Sequence, residues 1–200
     1  MSDQHDTRLR VTLDHNCLIA LEKDEPEAKA IKLLIPHHKK TILLGVPAIS
    51  ASEWQLGDKR ISTFSEFNER ILVLGLRGVE ILRPLGYWDV CYWDWAIGGS
   101  EEDFELEKRI HRVLFPNIPF DYPEYCESRD ITPNDQEMGR VWLNRKCDVL
   151  SMWSHIYYKG SVFVTSDRNY HKKSKKPALV KLGAGTILTP REAVSMLDQQ

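Results

Sequence analysis

Apolar residues follow two rhythms along this chain, one of period two and one near 3.6, and the alternation between them sets out the elements. Leu9, Val11 and Leu13 alternate with polar neighbours and predict a short strand over 9–13. Asp14 ends it, and a helix is expected from Asn16 through Leu18 and Leu21. A second helix opens near Pro26, a residue favoured in the first helical turn, with Ile31, Leu34 and Ile35 at helical spacing. Residues 41–46 form a continuous apolar run, as a strand buried on both faces requires. Helix follows over 48–56. Ser62 is placed to cap the next helix, whose Phe64, Phe67, Ile71 and Leu74 share a face, and 79–82 predicts another short strand.

Beyond that strand the texture changes. Tyr87, Trp88, Tyr92, Trp93 and Trp95 crowd into nine residues, then acids cluster over 101–107. The acids suit the positive end of a helix dipole, and Leu106, Ile110 and Val113 carry that helix to Phe115. Residues 116–133 are rich in proline and polar residues and read as loop. The stretch 87–131 is expected to be an insertion or elaborated lid, too short for a core of its own, within a single domain spanning 1–200. Thr132, Pro133 and Asp135 resemble a capped helix start, with helix to about Lys159, a break near Asn144 and Gly160 as the stop. Strands are expected at 161–165 and 186–188, and Thr189-Pro190-Arg191-Glu192 is a capping box for a last helix. Strands alternating with helices predict an α/β fold with a mostly parallel central sheet.

Composition narrows the class without choosing a function. Hydrophobic residues make up 42% of 200 positions, enough for a real core. A net charge of −2 leaves nucleic-acid binding to local patches. Cys17, Cys91, Cys126 and Cys147 are scattered, with no C-x-x-C pair, which argues against both a zinc site and a disulfide framework. The first ten residues are polar, and no stretch nears the ~18 apolar residues of a membrane span. The expectation is a soluble, cytoplasmic protein with no membrane partner.

The chemistry lies in four acids. Asp14 and Asp167 each end a predicted strand, Glu53 follows another, and Asp148 precedes an apolar helical run. In an open parallel sheet, groups at strand carboxyl ends converge on one crevice. Converging carboxylates repel one another unless a cation lies between them, and hard cations such as Mg²⁺ and Mn²⁺ take oxygen ligands. Such a cation serves phosphodiester hydrolysis by acidifying water and shielding the phosphate. Each acid alone reads as a cap, a turn residue or a solvated helix position; the set carries the weight. A phosphatase with an aspartyl nucleophile wants a second Asp two residues after the first, and Asn16 stands there. Walker-type loops and Ser-His-Asp or Cys-His signatures are missing from the sequence.

These segments resemble the PIN domain family of nucleases. Val11-Thr12-Leu13-Asp14-His15-Asn16 matches its first strand and Asp; Val46 through Glu53 matches, loosely, the segment carrying its Glu. Cys147-Asp148-Val149-Leu150 and Val164-Thr165-Ser166-Asp167 match the third and fourth acids, and 185–192 matches its closing strand and helix. The likeness covers about 9–198 outside the insertion. It implies a three-layer α/β/α ribonuclease fold with Asp14, Glu53, Asp148 and Asp167 as catalytic acids and ligands to Mg²⁺ or Mn²⁺. It gives Asn16 and Thr165 a supporting part, bonding those carboxylates or a water. It further implies an RNA substrate, an antitoxin or regulatory protein as partner, and a homodimer. Asn16 replaces the common Ser or Thr, and the 87–131 segment lengthens the chain beyond a typical toxin of the family. The alternative is a silent PIN-fold protein that binds RNA or acts as a scaffold.

Arg168, Lys172, Lys173, Lys175, Lys176 and Lys181 form a basic stretch without acids directly after Asp167. It reads either as a grip for an RNA backbone or as a solvated loop. Arg145 and Lys146 would extend that patch. The aromatic run at 87–95 reads first as packing and second as a platform for single-stranded bases. His15, His155 and His171 lie near the motifs, but a metal site needs none of them.

Overall fold

The computed structural model describes residues 7–53, 61–133 and 139–199. Five parallel strands, β1 (Leu9–Leu13), β2 (Ile42–Pro47), β3 (Glu80–Leu82), β4 (Val162–Val164) and β5 (Thr186–Leu188), form one sheet in the order β3-β2-β1-β4-β5. β1 is central, paired to β2 with Leu9 opposite Ile42 and to β4 with Val11 opposite Val162. Its Val11, Thr12 and Leu13 are all buried, so both faces of the sheet are covered.

Period-two alternation assigns each strand residue to one of two apolar layers. Val11, Leu13, Leu44, Val46, Val162 and Val164 pack with α1 (His15–Glu22), α2 (Ala28–Leu34), α3 (Phe64–Val73) and α9 (Pro190–Leu197). Phe163 and Ile187 face the other layer, built on α4 (Glu101–Leu114), α5 (Tyr122–Glu127), α6 (Arg140–Tyr157) and α8 (Lys176–Lys181). The result is a three-layer α/β/α architecture. A glycine fixes the fit of α6 to the sheet. A Cβ on Gly160 would stand 2.1 Å from the buried His155 ring, which bonds Thr12 Oγ1 (2.8 Å) and the Ala184 carbonyl (2.9 Å).

Several expectations shift. Residues 48–56 were expected to be helical. The described part is a 3-10 turn, Ala48–Ala51, all four residues buried, and 54–56 lie outside the described residues. Thr63, not Ser62, caps α3, accepting from the Glu66 N–H. The supposed loop at 116–133 contains α5, with proline in its first turn. Thr132 caps no described helix; α6 begins at Arg140 after Gly139 and runs unbroken past Asn144, and 134–138 lie outside the described residues. The basic stretch after Asp167 is partly helical, in α7 (Arg168–His171) and α8. On α4 the buried positions are Glu107, Ile110, His111 and Leu114, with Leu106 and Val113 only half-buried. The Thr189 capping box forms as read, with its hydroxyl accepting from Glu192 N. All four cysteines are free thiols. Among the described residues no helix is long and apolar enough to cross a membrane.

Candidate active site

Strand register brings the first and fourth motifs together. Leu13 lies opposite Val164, and the next residue, Asp14, donates its N–H to the Val164 carbonyl (3.0 Å). Asp14 and Thr165 therefore leave the sheet side by side at its carboxyl edge. The Thr165 hydroxyl donates to Asp14 Oδ2 (2.8 Å) and accepts from Asn16 Nδ2 (2.9 Å) and from the Asp167 N–H (3.0 Å). Asn16 Nδ2 also donates to Asp14 Oδ2 (2.8 Å), while its Oδ1 accepts from the backbone and hydroxyl of Ser166 (3.1 and 3.2 Å). The Ser166 N–H can only donate, which fixes the orientation of the Asn16 amide and commits both of its protons. Asp167 Oδ1 in turn caps α7 by accepting from Asn169 N (2.8 Å). Asn16 thus does at this position what a hydroxyl would do, with one more hydrogen bond.

Glu53 and Asp148 arrive from elsewhere. Glu53 follows the 3-10 turn rather than sitting in a helix, and is almost fully buried. Asp148 is half-buried on α6, where Tyr170 donates its hydroxyl to the Asp148 carbonyl (2.9 Å). The four acids feel one another. Burial lifts the Asp14 carboxyl to about 6, against the hydrogen bonds from Thr165 and Asn16 and with help from Asp167. Burial is also the main cause that pushes Glu53 well above the carboxylate range; Asp148 and Asp14 add to it, Arg70 opposes, and Asp167 adds a little. Asp148 is likewise raised, by burial first and then by Asp14 and Asp167, with Arg145 opposing.

Neighbouring cations offset this charge only in part, Arg145 at Asp148 and Arg70 at Glu53. Arg70 on α3 is spent on Glu22, to which it donates through Nε and through Nη2 (2.9 Å); its Nη1 is buried without a partner. His15 lies 3.8 Å from Glu53, but burial, then Arg70, lowers its proton affinity to about 3, so it is neutral at physiological pH. Glu53 Oε1 is buried with no hydrogen bond. An orphaned Glu53 carboxylate oxygen, with Asp14, Asp148 and Asp167 acting on the same group, has the donor chemistry of a hard divalent cation's ligand. The fit stops there, since among the described residues no three His, Cys, Asp or Glu side chains are gathered into a ready metal cage.

The basic residues separate. Arg168, Lys172, Lys173 and Lys181 are exposed. Lys175 is tied down, donating to the Leu114 carbonyl and to Asn169 Oδ1 (2.6 Å), and Lys176 is half-buried. Lys146 does not extend the patch: it is buried against Glu107 on α4, beneath the rings of Tyr87 and Phe120. His171 is used structurally, its Nε2 on the Thr165 carbonyl (2.9 Å). Arg70 and Tyr170 were not read from sequence. Arg70 looks like any polar residue of an amphipathic helix, and Tyr170 like one more apolar position, so neither carried a local signal.

No family model matches this chain, and no curated protein matches it. Among solved structures, it is similar to a chain from the crystal structure of VapBC2 from Rickettsia felis bound to a DNA fragment from their promoter. The likeness covers 90% of this chain and 98% of that one, at 12% identity and a TM-score of 0.42. Similarity at that level assigns no activity.

Proposed function

We propose that this chain is a Mg²⁺- or Mn²⁺-dependent endoribonuclease of the PIN type, hydrolysing RNA phosphodiester bonds through activated water. One observation carries the reading: burial and mutual repulsion raise the proton affinity of Asp14, Glu53 and Asp148, supplied by three separate segments, with Asp167 adding to each and with Arg70 and Arg145 opposing only in part. Clusters of this kind are costly and persist where function needs them. A divalent cation, when bound, supplies charge neutralisation of the phosphate and acidification of water. Asp14, Glu53, Asp148 and Asp167 would hold it. Thr165 and Asn16 orient Asp14 by holding Oδ2, and the Asn169 N–H holds Asp167 Oδ1. Arg168, Lys172 and Lys173, exposed just beyond Asp167, would meet the RNA backbone.

The second reading is a silent RNA-binding or scaffold protein of the same fold, favoured by the lack of a ready three-ligand cage among the described residues. An antitoxin or regulatory protein and a second copy of the chain belong to the proposal as partners of the PIN family, to be sought by co-purification and solution mass. Incubation with tRNA, rRNA and unstructured RNA in Mn²⁺ or Mg²⁺ separates the two readings. Cleavage that disappears with EDTA and in Asp14→Asn is the expected result; absence of both cleavage and Mn²⁺ binding in the wild type sinks the nuclease.

A further inference from the structure

The aromatic run after β3 is sorted by the fold into two sets. Tyr87, Tyr92 and Trp95 turn inward. The Tyr87 hydroxyl donates to Glu107, the Tyr92 hydroxyl donates to the Ile61 carbonyl, and Trp95 stacks on Phe64 at 4.2 Å and 14°. Trp88 and Trp93 turn outward, 73% and 51% exposed, and among the described aromatic rings contact only each other, with centroids 4.2 Å apart and planes at 60°. The loop that holds them is fixed at its base by Gly86 N–H to Ile97 O and Ile97 N–H to Pro84 O, both 2.9 Å. The Trp93 ring lies over Gly86, 3.5 Å from where a Cβ would stand. Two indoles are therefore presented to solvent from a rigid frame.

Their place in the sheet matters. Thr12 is level with Gly45, and Pro47 with Leu82, so Asp14, Pro47 and Leu82 stand at one height on the carboxyl edge. The loop leaves β3 at that height, two strand spacings, about 10 Å, from β1. We propose that Trp88 and Trp93 form a stacking platform for an unpaired base of single-stranded RNA, on the same edge as the four carboxylates. The proposal rests on the ribonuclease reading and extends it, by making the substrate single-stranded beside the cut.

The occupant follows from size and charge. Two indoles expose at most about 500 Å² even when fully open, short of the ~800 Å² that a stable protein partner covers. Asp89 and Asp94 each follow one of the two indoles in sequence, which disfavours an anionic bilayer. An uncharged base face suits what is left, and the backbone charge would be met by Arg168, Lys172 and Lys173.

The test is binding of a labelled 12-nucleotide unstructured RNA to Asp14→Asn protein, with Trp88→Ala/Trp93→Ala and Trp88→Phe/Trp93→Phe added. The alanine pair is expected to weaken binding at least about fivefold and the phenylalanine pair to restore most of it, with duplex RNA unaffected by either. Both positions are exposed, and circular dichroism checks that the variants fold. Equal affinity across all three proteins, or an indole blue shift with phosphatidylglycerol vesicles in place of RNA binding, overturns the platform. Hydrolysis of bis(p-nitrophenyl) phosphate in Mn²⁺, which needs no base stacking, keeps the two failures apart. Hydrolysis with tryptophan-independent RNA binding leaves the nuclease and removes the platform. Tryptophan-dependent binding without hydrolysis by the otherwise wild-type chain does the reverse.

Discussion

Two clusters of buried charge sit on opposite sides of α6 and are built on opposite rules. Lys146 points toward α4, where its ammonium meets Glu107 Oε1, the Tyr87 hydroxyl donates to Glu107 Oε2, and the Tyr87 and Phe120 rings lie 3.7 and 4.2 Å from Nζ. Asp148, two residues on, belongs to the carboxyl edge of the sheet with Asp14, Glu53 and Asp167. The first cluster is balanced: one cation, one anion, one donor, two ring faces. The second gathers acids whose burial and mutual repulsion raise their proton affinity, opposed in part by Arg145 and by Arg70, which is tied to Glu22. A balanced buried pair specifies packing, in this case the attachment of α4 and the aromatic loop to α6. A surplus of buried acid weakens the fold where it ionises, and such clusters of perturbed carboxylates gather at functional sites.

The largest test of this contrast breaks the balanced side. Lys146→Met leaves Glu107 buried and uncompensated, and is expected to cost about 3–5 kcal/mol in urea denaturation at pH 7. Glu107→Leu added to it should recover most of the loss, because replacing both charges with apolar groups removes the desolvation problem. A single variant as stable as the wild type would show that the pair is not buried as described.

On the other side, removing a charge should help. Asp14 has its proton affinity raised from 3.8 to about 6 by folding. Below the unfolded value both states carry the proton and the residue costs nothing. As pH rises through about 6 the folded protein must ionise a buried acid, so stability present in acid is lost toward neutrality, to the extent of about 3 kcal/mol. Asp14→Asn is therefore expected to stabilise the protein in EDTA at pH 7.5 by up to about 3 kcal/mol while abolishing cleavage, with the gain fading at pH 4. Denaturation at the two pH values reads it, and destabilisation at both would mean that the acid surplus is already neutralised.

The same contrast explains what the sequence could reveal. All five strands were legible to within about one residue at either end, because short apolar runs bounded by polar residues have few other uses. Asp14 and Asp167 were legible because the strand that buries the apolar run also delivers the residues after it to one edge, whereas Asn16 and Thr165 were legible only through the family resemblance. Glu53 was found on the wrong kind of element: Ala48, Ile49, Ser50 and Ala51 are buried all round, so no face pattern separates a 3-10 turn from an α-helix. The balanced cluster was invisible. Glu107 lay within an acidic run that suited a helix N-terminus, and Lys146 beside an arginine that suited a basic patch. Only tertiary contact, across 39 residues of sequence, turns these two charges inward. The split of the aromatic run was hidden for the same reason, since inward and outward rings obey no simple period in a loop.

The smallest expected effect probes how much of the balanced cluster depends on its third member. Tyr87→Phe removes one hydroxyl and keeps the ring over Lys146. Burial raises the tyrosine's proton affinity and Glu107 raises it further, so the hydroxyl keeps its proton and acts only as a donor. Its loss leaves Glu107 Oε2 without that donor, in a residue with no exposure to water. A hydrogen bond to a charged group contributes about 1.5–3 kcal/mol, and the lower end is expected because Lys146 still offsets the charge at Oε1. Hydrolysis of a small phosphodiester should be unchanged, since nothing at the carboxyl edge is touched. A loss near that of Lys146→Met would instead make the hydroxyl, not the ammonium, the group that holds Glu107 inside. A fall in hydrolysis would join the two clusters that the fold keeps on separate sides of α6.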